Sequence, residues 1–451
     1  MAQGDVLRSE KREYREPATG VKVVQLTDAP CHNVHPYYNQ EGFVDGSGRY
    51  VFSSNRSGIG QIYAVEIASG AIVQLTDSDE PPVLAGIEKR PGGGAGSGGL
   101  TCDPERGRIY YSRGKRVCCL DMESLREEVV AESPPGCGNL GGPDLSSCGR
   151  YMVLSCRPEG ASDWPWRDEN RYRHGSETLV VLCDLQEGRQ AVVYHGPSAE
   201  NLAAADSHLY ICRGDPSYLF FGSYTRTQPT GLKTMWFMRV DLERLVPLQD
   251  PLPIFAQQPF EMVNHYYPAP DNHVESLLYT YTQHDRDGVP VSPVRRAEMI
   301  DVDLVNRVDR RWVFPGREPI HFKCNSKADL WVGDAADPGP FWFEGRGDLE
   351  RYVQEGEGEA AEGPVSSARR DPQAIGPEGY RWPEAHRWIG VFRKRGPFIE
   401  MRPLARHDTV WRCIHPHPAF SPDDRWTAWG AGGARQSQLF LAEAVWPRWM
   451  T

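Results

Sequence analysis

One motif comes round seven times in this chain, and it leaves few folds open. A polar turn followed by a short aromatic and aliphatic strand reads VDGSGRYVFSS (44–54), CDPERGRIYYS (102–112), LSSCGRYMVLS (145–155) and RGDPSYLFFGS (213–223). It returns as APDNHVESLLYTY (269–281), CNSKADLWVGD (324–334) and SPDDRWTAWGA (421–431). Each copy is followed by a second apolar strand leading into an acidic turn: YAVEIASG (63–70), VCCLDMESL (117–125), VVLCDLQEG (180–188), FMRVDLERL (237–245), EMIDVDLVN (298–306), FIEMRPLAR (398–406) and LFLAEAV (439–445). Short strands separated by Gly, Asp, Pro and Asn turns, with little helical periodicity, predict an all-β chain. Seven similar units of this kind predict a seven-bladed β-propeller.

The ends of the chain carry a further clue. VVQLTD at 23–28 nearly repeats IVQLTD at 72–77, yet it precedes the first full repeat. It is therefore expected to supply the outer strand of the last blade, closing the ring and removing an exposed sheet edge. This divides the chain into an N-terminal extension, 1–18, and a single propeller domain, 19–451. Two stretches interrupt the rhythm. The aromatic and charged loop at 159–177 is expected over one face of the ring, and the Gly- and Glu-rich insertion at 344–380 reads as a mobile segment.

Composition narrows the partners. At 451 residues with 39% hydrophobic content, the chain can bury a large core. A net charge of −11 without a Lys/Arg-rich patch argues against nucleic acid as a partner. The charged N-terminus lacks the apolar stretch of a secretory signal, and no run is apolar and long enough to cross a membrane. The 11 cysteines show no paired C-x-x-C spacing, which predicts reduced thiols and a cytoplasmic location.

Of the 13 histidines, several fall at one place in the repeat, just before or within the innermost strand of a blade. They are His208 in AADSHLYICRGDPS, His265 in EMVNHYYPAPDN, His321 in EPIHFKCNSKAD, and His415 with His417 in CIHPHPAFSPDD. Innermost strands line the channel of a propeller, so residues far apart in sequence converge on its axis. In an extended strand residues i and i+2 point the same way, so His415 and His417 can present two imidazoles to one ion. His265 is the third candidate, and imidazole suits Mn, Fe, Co, Ni, Cu or Zn. His321 reads as a channel-lining neighbour. Histidines that line a polar channel without any metal remain the plainer alternative.

With these motifs in view, the chain resembles the oligogalacturonate lyase family, seven-bladed propellers that cleave α-1,4-linked uronic acid oligomers by β-elimination. The resemblance covers nearly all of residues 15–448, and HPHPAFSPDD and HFKCNSKADLWVGDAADP carry most of it. It implies a divalent metal, typically manganese, held by His265, His415 and His417. It also implies His208 as the catalytic histidine and a small acidic oligosaccharide as the substrate. Arg412, His321 and Arg213 are then the candidates for substrate binding.

Two positions depart from the family pattern. Arg412 stands where the family has a glutamine ligand, and a guanidinium has no lone pair to offer a metal. Leu179 stands where it has a catalytic arginine; Arg173 and His174 are the nearest basic residues in sequence. Arg412 can instead pair with a substrate carboxylate through its planar fork. Two readings follow: a lyase-like enzyme acting on uronate oligomers, and a non-catalytic propeller that binds an acidic sugar or a protein.

Overall fold

The computed structural model describes residues 2–80, 99–159, 178–196, 209–224, 233–256, 261–281, 294–314, 319, 321–336, 388–407, 409, 415–432 and 436–446. These residues form β-strands and turns, with no helix among them. The strands build six sheets, of which one has eight strands and contains two units. Those two units meet through a single parallel pair, Val313 with Phe398. Counted as units, the ring has seven blades.

The core explains why the repeat strands are so apolar. Each blade is buried on both faces, because its neighbours on either side cover it. Seven apolar clusters result, and each lies between two successive blades. Val153, Val180 and Leu182 of the third blade meet Leu209, Leu219 and Phe221 of the fourth. The series closes on itself: Val24, Leu439 and Leu441 of the last blade meet Phe52, Tyr63 and Val65 of the first. A strand such as Arg49–Ser54 is buried at all but its first residue, whichever way its side chains point.

Ring closure falls where the repeated VVQLTD placed it. Lys22–Gln25 pairs antiparallel with Ser437–Glu443, setting Val23 against Ala442 and Val24 against Leu441. Residues before 19 do more than lead into the ring. Arg12–Arg15 adds a further strand outside Lys22–Gln25, and Val6–Leu7 pairs with Ile72–Gln74 of the first blade.

One strand assignment changes. In the sixth blade 398–406 was expected as the strand next to the repeat strand, but Phe398–Arg406 is the outer strand. Trp388–Arg395 lies between it and Trp331–Ala336. Trp388–Arg395 ends in the basic turn Lys394–Pro397 rather than an acidic one, so the sequence pattern passed over it. The insertion at 344–380 and the loop from 160 to 177 lie outside the described residues.

The first blade, like the third, has an interrupted inner strand. Its inner edge is split into Asn33–Val34 and Phe43–Val44, both paired to Arg49–Ser54. The intervening residues leave the blade and enter the channel. The Tyr38 hydroxyl donates to the Tyr266 carbonyl of the fifth blade at 3.3 Å. The Gln40 side chain donates to the Pro143 carbonyl of the third at 3.2 Å. This segment, called the plug below, reaches the third and fifth blades and packs against the histidines of the site.

Candidate metal centre in the propeller channel

Four histidines gather against the plug. His265 lies in the inner strand Glu261–Pro268, His321 immediately before Phe322–Cys324, and His415 and His417 just before Ala419–Phe420. The ring centroids of His321 lie 4.1 Å from His265, 4.1 Å from His417 and 5.2 Å from His415. His321, His415 and His417 each offer a ligand atom, and these atoms all lie within 4.8 Å of one another. The expected trio was His265, His415 and His417. The structure puts His321 at the centre of the group and His265 against it as a fourth ring.

The local backbone explains the convergence, and it is not the extended strand the spacing suggested. His417 has φ of 45°, so the chain turns between its two histidines rather than running straight. Their rings are still 5.3 Å apart. His265 has φ of 51° and sits in a β-bulge, where the register of its strand shifts between Asn264 and Tyr267. Bulges re-aim a side chain out of the strand's regular alternation.

Electrostatics favours lone pairs over positive charge. Burial, followed by the neighbouring imidazoles, pushes the pKa of His417 well below its ordinary value. His35, in the plug, is lowered to about 4, mainly by burial. Its Nδ1 lies 2.6 Å from the Pro36 carbonyl and its Nε2 3.3 Å from the His415 carbonyl. A neutral ring donates to one of these only.

His321 is held by Asp334. The carboxylate accepts from the His321 ring at Nδ1, 2.7 Å away, and from its backbone N–H at 2.8 Å. Burial pushes the Asp334 carboxyl up, but His321 beside it, with its ring and backbone hydrogen bonds, outweighs burial and holds the carboxyl below its usual range. With a proton on Nδ1, the Nε2 of His321 carries the lone pair. It lies 3.2 Å from Nε2 of His417. Three nitrogen donors at this spacing, one of them backed by a carboxylate, fit a divalent transition metal.

Tyr37 and Tyr38 complete the wall. Tyr37 stacks edge-on against His417 at 4.6 Å, and buried Tyr38 lies 5.4 Å from His321 and 6.1 Å from His265. The sequence reading did not single out these tyrosines or His35. A signal was present: NVHPYY of the first blade and CIHPHP of the last share a His-Pro pair close to the inner strand.

The remaining candidates fall elsewhere. Arg213 lines a cavity of about 190 Å³ with Asn39, Glu41 and Lys323, and none of the clustered histidines lines it. Its guanidinium pairs with Asp144 at 2.8 Å and donates to the Leu145 carbonyl. Leu179 packs into the apolar layer between the second and third blades. His208, Arg412, Arg173 and His174 lie outside the described residues.

The fold and site together define a closed seven-bladed β-propeller whose axis carries an imidazole cluster suited to a divalent cation. Comparison with known proteins gives this class a closer relation. No family model matches the chain. It is 23% identical to the oligogalacturonide lyase of Pectobacterium atrosepticum over 470 residues, covering 99% of this chain and 100% of that one. It is 20% identical to the oligogalacturonate lyase of Dickeya dadantii at the same coverage. Among solved structures, an oligogalacturonate lyase in complex with manganese superposes with a TM-score of 0.68 at 18% identity, over 98% of both chains. The oligogalacturonate lyase of Vibrio parahaemolyticus gives 0.70 at 15% identity and the same coverage. The chain is thus a distant, full-length relative of the oligogalacturonate lyases.

Proposed function

We propose that this protein is a lyase that cleaves uronic-acid-containing oligosaccharides by β-elimination in the mouth of its channel. The observation that carries the reading is the trio His321, His415 and His417, whose ligand atoms all lie within 4.8 Å of one another. These residues hold a divalent ion in this reading, and manganese is the assignment because a structural relative is a manganese complex. When bound, such an ion neutralises the substrate carboxylate and so acidifies the proton on the neighbouring C5.

The chain's own groups do the rest. A neutral imidazole takes the C5 proton onto a ring nitrogen. The C5–H electron pair becomes the C4–C5 double bond, and the C4–O pair leaves with the departing sugar. His265 is the geometric candidate for this base: it is only half-buried, and it stands beside the trio without being one of it. His208 is the candidate that family resemblance designates. Arg412, in the same reading, pairs with a substrate carboxylate.

The test is ultraviolet absorbance of the unsaturated uronate product, measured on a panel of uronate oligomers together with bound manganese. Replacing the base abolishes the signal and leaves manganese bound, whereas replacing a ligand removes both. His265→Ala and His208→Ala are therefore sorted by the same pair of readouts. One observation favours the second reading, a non-catalytic sugar-binding propeller: Leu179 packs into the interblade core where the family pattern calls for an arginine. A flat absorbance trace across the panel, with oligomer binding intact by calorimetry, decides for that reading.

A further inference from the structure

We infer that Asp334 is a positioning residue for the centre, holding His321 in the one tautomer and orientation that turn a lone pair toward His415 and His417. The inference rests on the reading of these three histidines as a metal-holding group.

The geometry is closely specified. Asp334 lies on Trp331–Ala336, the strand beside Phe322–Cys324, and directly across from His321. Its backbone N–H donates to the His321 carbonyl at 3.2 Å. One carboxylate oxygen accepts from the His321 backbone N–H, and the other accepts from the ring Nδ1–H. Both side chains are almost completely buried, at 1% and 0% exposure, so solvent does not compete for these bonds. The ring therefore cannot flip or change tautomer without breaking a charge-assisted hydrogen bond in a buried site.

The preceding residue serves the same seat. A Cβ on Gly333 would come within 2.6 Å of the Pro319 Cβ and 2.9 Å of the His321 carbonyl oxygen. Only glycine lets the His321 segment lie this close to the strand that carries Asp334. Among the three imidazoles, His321 is the one whose ring the structure shows backed by a carboxylate. The Nδ1 of His417 is buried with no hydrogen-bond partner among the described residues. The carboxylate thus acts on the central ring of the group.

A buried His–Asp pair can also serve merely as a staple between strands, so the test must read tautomer and metal affinity rather than folding. Asp334→Asn keeps the size but not the pattern. If the amide oxygen faces the His321 backbone N–H, its NH2 donates to Nδ1 and forces the ring proton onto Nε2. If the amide is turned the other way, two N–H groups confront each other. In metal-free protein, nitrogen NMR of the parent is expected to show His321 protonated at Nδ1, and the variant at Nε2.

Manganese titration is expected to give an affinity about 10–100-fold weaker in the variant. An Nε2-protonated His321 in the parent overturns the inference, and that measurement needs no variant to fold. So does a folded Asp334→Asn protein that binds manganese as tightly as the parent. A parent that binds no manganese contradicts the proposed function, while the NMR result on metal-free protein still decides the role of Asp334.

Discussion

His265 and His417 both adopt positive φ, 51° and 45°, which costs a non-glycine residue about 1–3 kcal/mol. Two strained histidines packed against the same ring, that of His321, are best explained by what their rings do there. His265→Gly is accordingly expected to leave the metal-free protein as stable as the parent or more so, by up to about 1 kcal/mol, while elimination is lost. Denaturant unfolding alongside the absorbance assay checks this; a clear loss of stability would show that the ring is there for packing. The H-x-H pair was legible because two histidines in one short segment stand out in a chain with 13. The place of His321 was not. Its anchor, Asp334, lies 13 residues on in the next strand, and only the antiparallel register brings the two together.

Among the elements, the split inner strand of the first blade does most to shape the site. The turn-and-strand repeat announced seven units but could not show that one of them sends eight residues, 35–42, across the channel. Elsewhere the elements follow ordinary strand physics. Gly333→Ala is expected to destabilise the protein by about 1–3 kcal/mol, because the new methyl meets backbone and a proline ring rather than a yielding side chain. Thermal unfolding of metal-free protein measures it.

Asp184, at the end of Thr178–Asp184, has its pKa lowered to about 2, first by the hydrogen bond from Arg150. A carboxyl with a depressed folded pKa contributes stability that is fully present above its unfolded value near 4 and is lost as pH falls through 2. Both arginine partners, Arg150 and Arg189, are partly exposed, so solvent screening keeps the contribution small. Asp184→Asn should therefore be less stable than the parent at neutral pH, and the gap should close at pH about 2. A gap that stays constant across the range would assign the loss to packing.

For the molecule as a whole, stability depends on closing the ring. Deleting residues 1–28 removes Lys22–Gln25 and bares the edge of Ser437–Glu443, so the truncated protein is expected to lose cooperative unfolding and to associate. Deleting only residues 1–9 takes away Val6–Leu7 and is expected to cost much less. Light scattering and thermal melts compare the two; equal behaviour would mean that the closing strand is dispensable. Closure was readable because VVQLTD and IVQLTD are near copies of one outer strand. The third strand of the sixth blade was not, since residues 337–387 separate it from its neighbour and its turn is basic.

The central claim is that the ring brings His321, His415 and His417 onto one ion. Pulsed electron paramagnetic resonance of manganese added to the purified protein tests it most directly. The account predicts coupling to three imidazole nitrogens in the parent and to fewer in His321→Ala. A spectrum with no nitrogen coupling, or one that His321→Ala leaves unchanged, would contradict it.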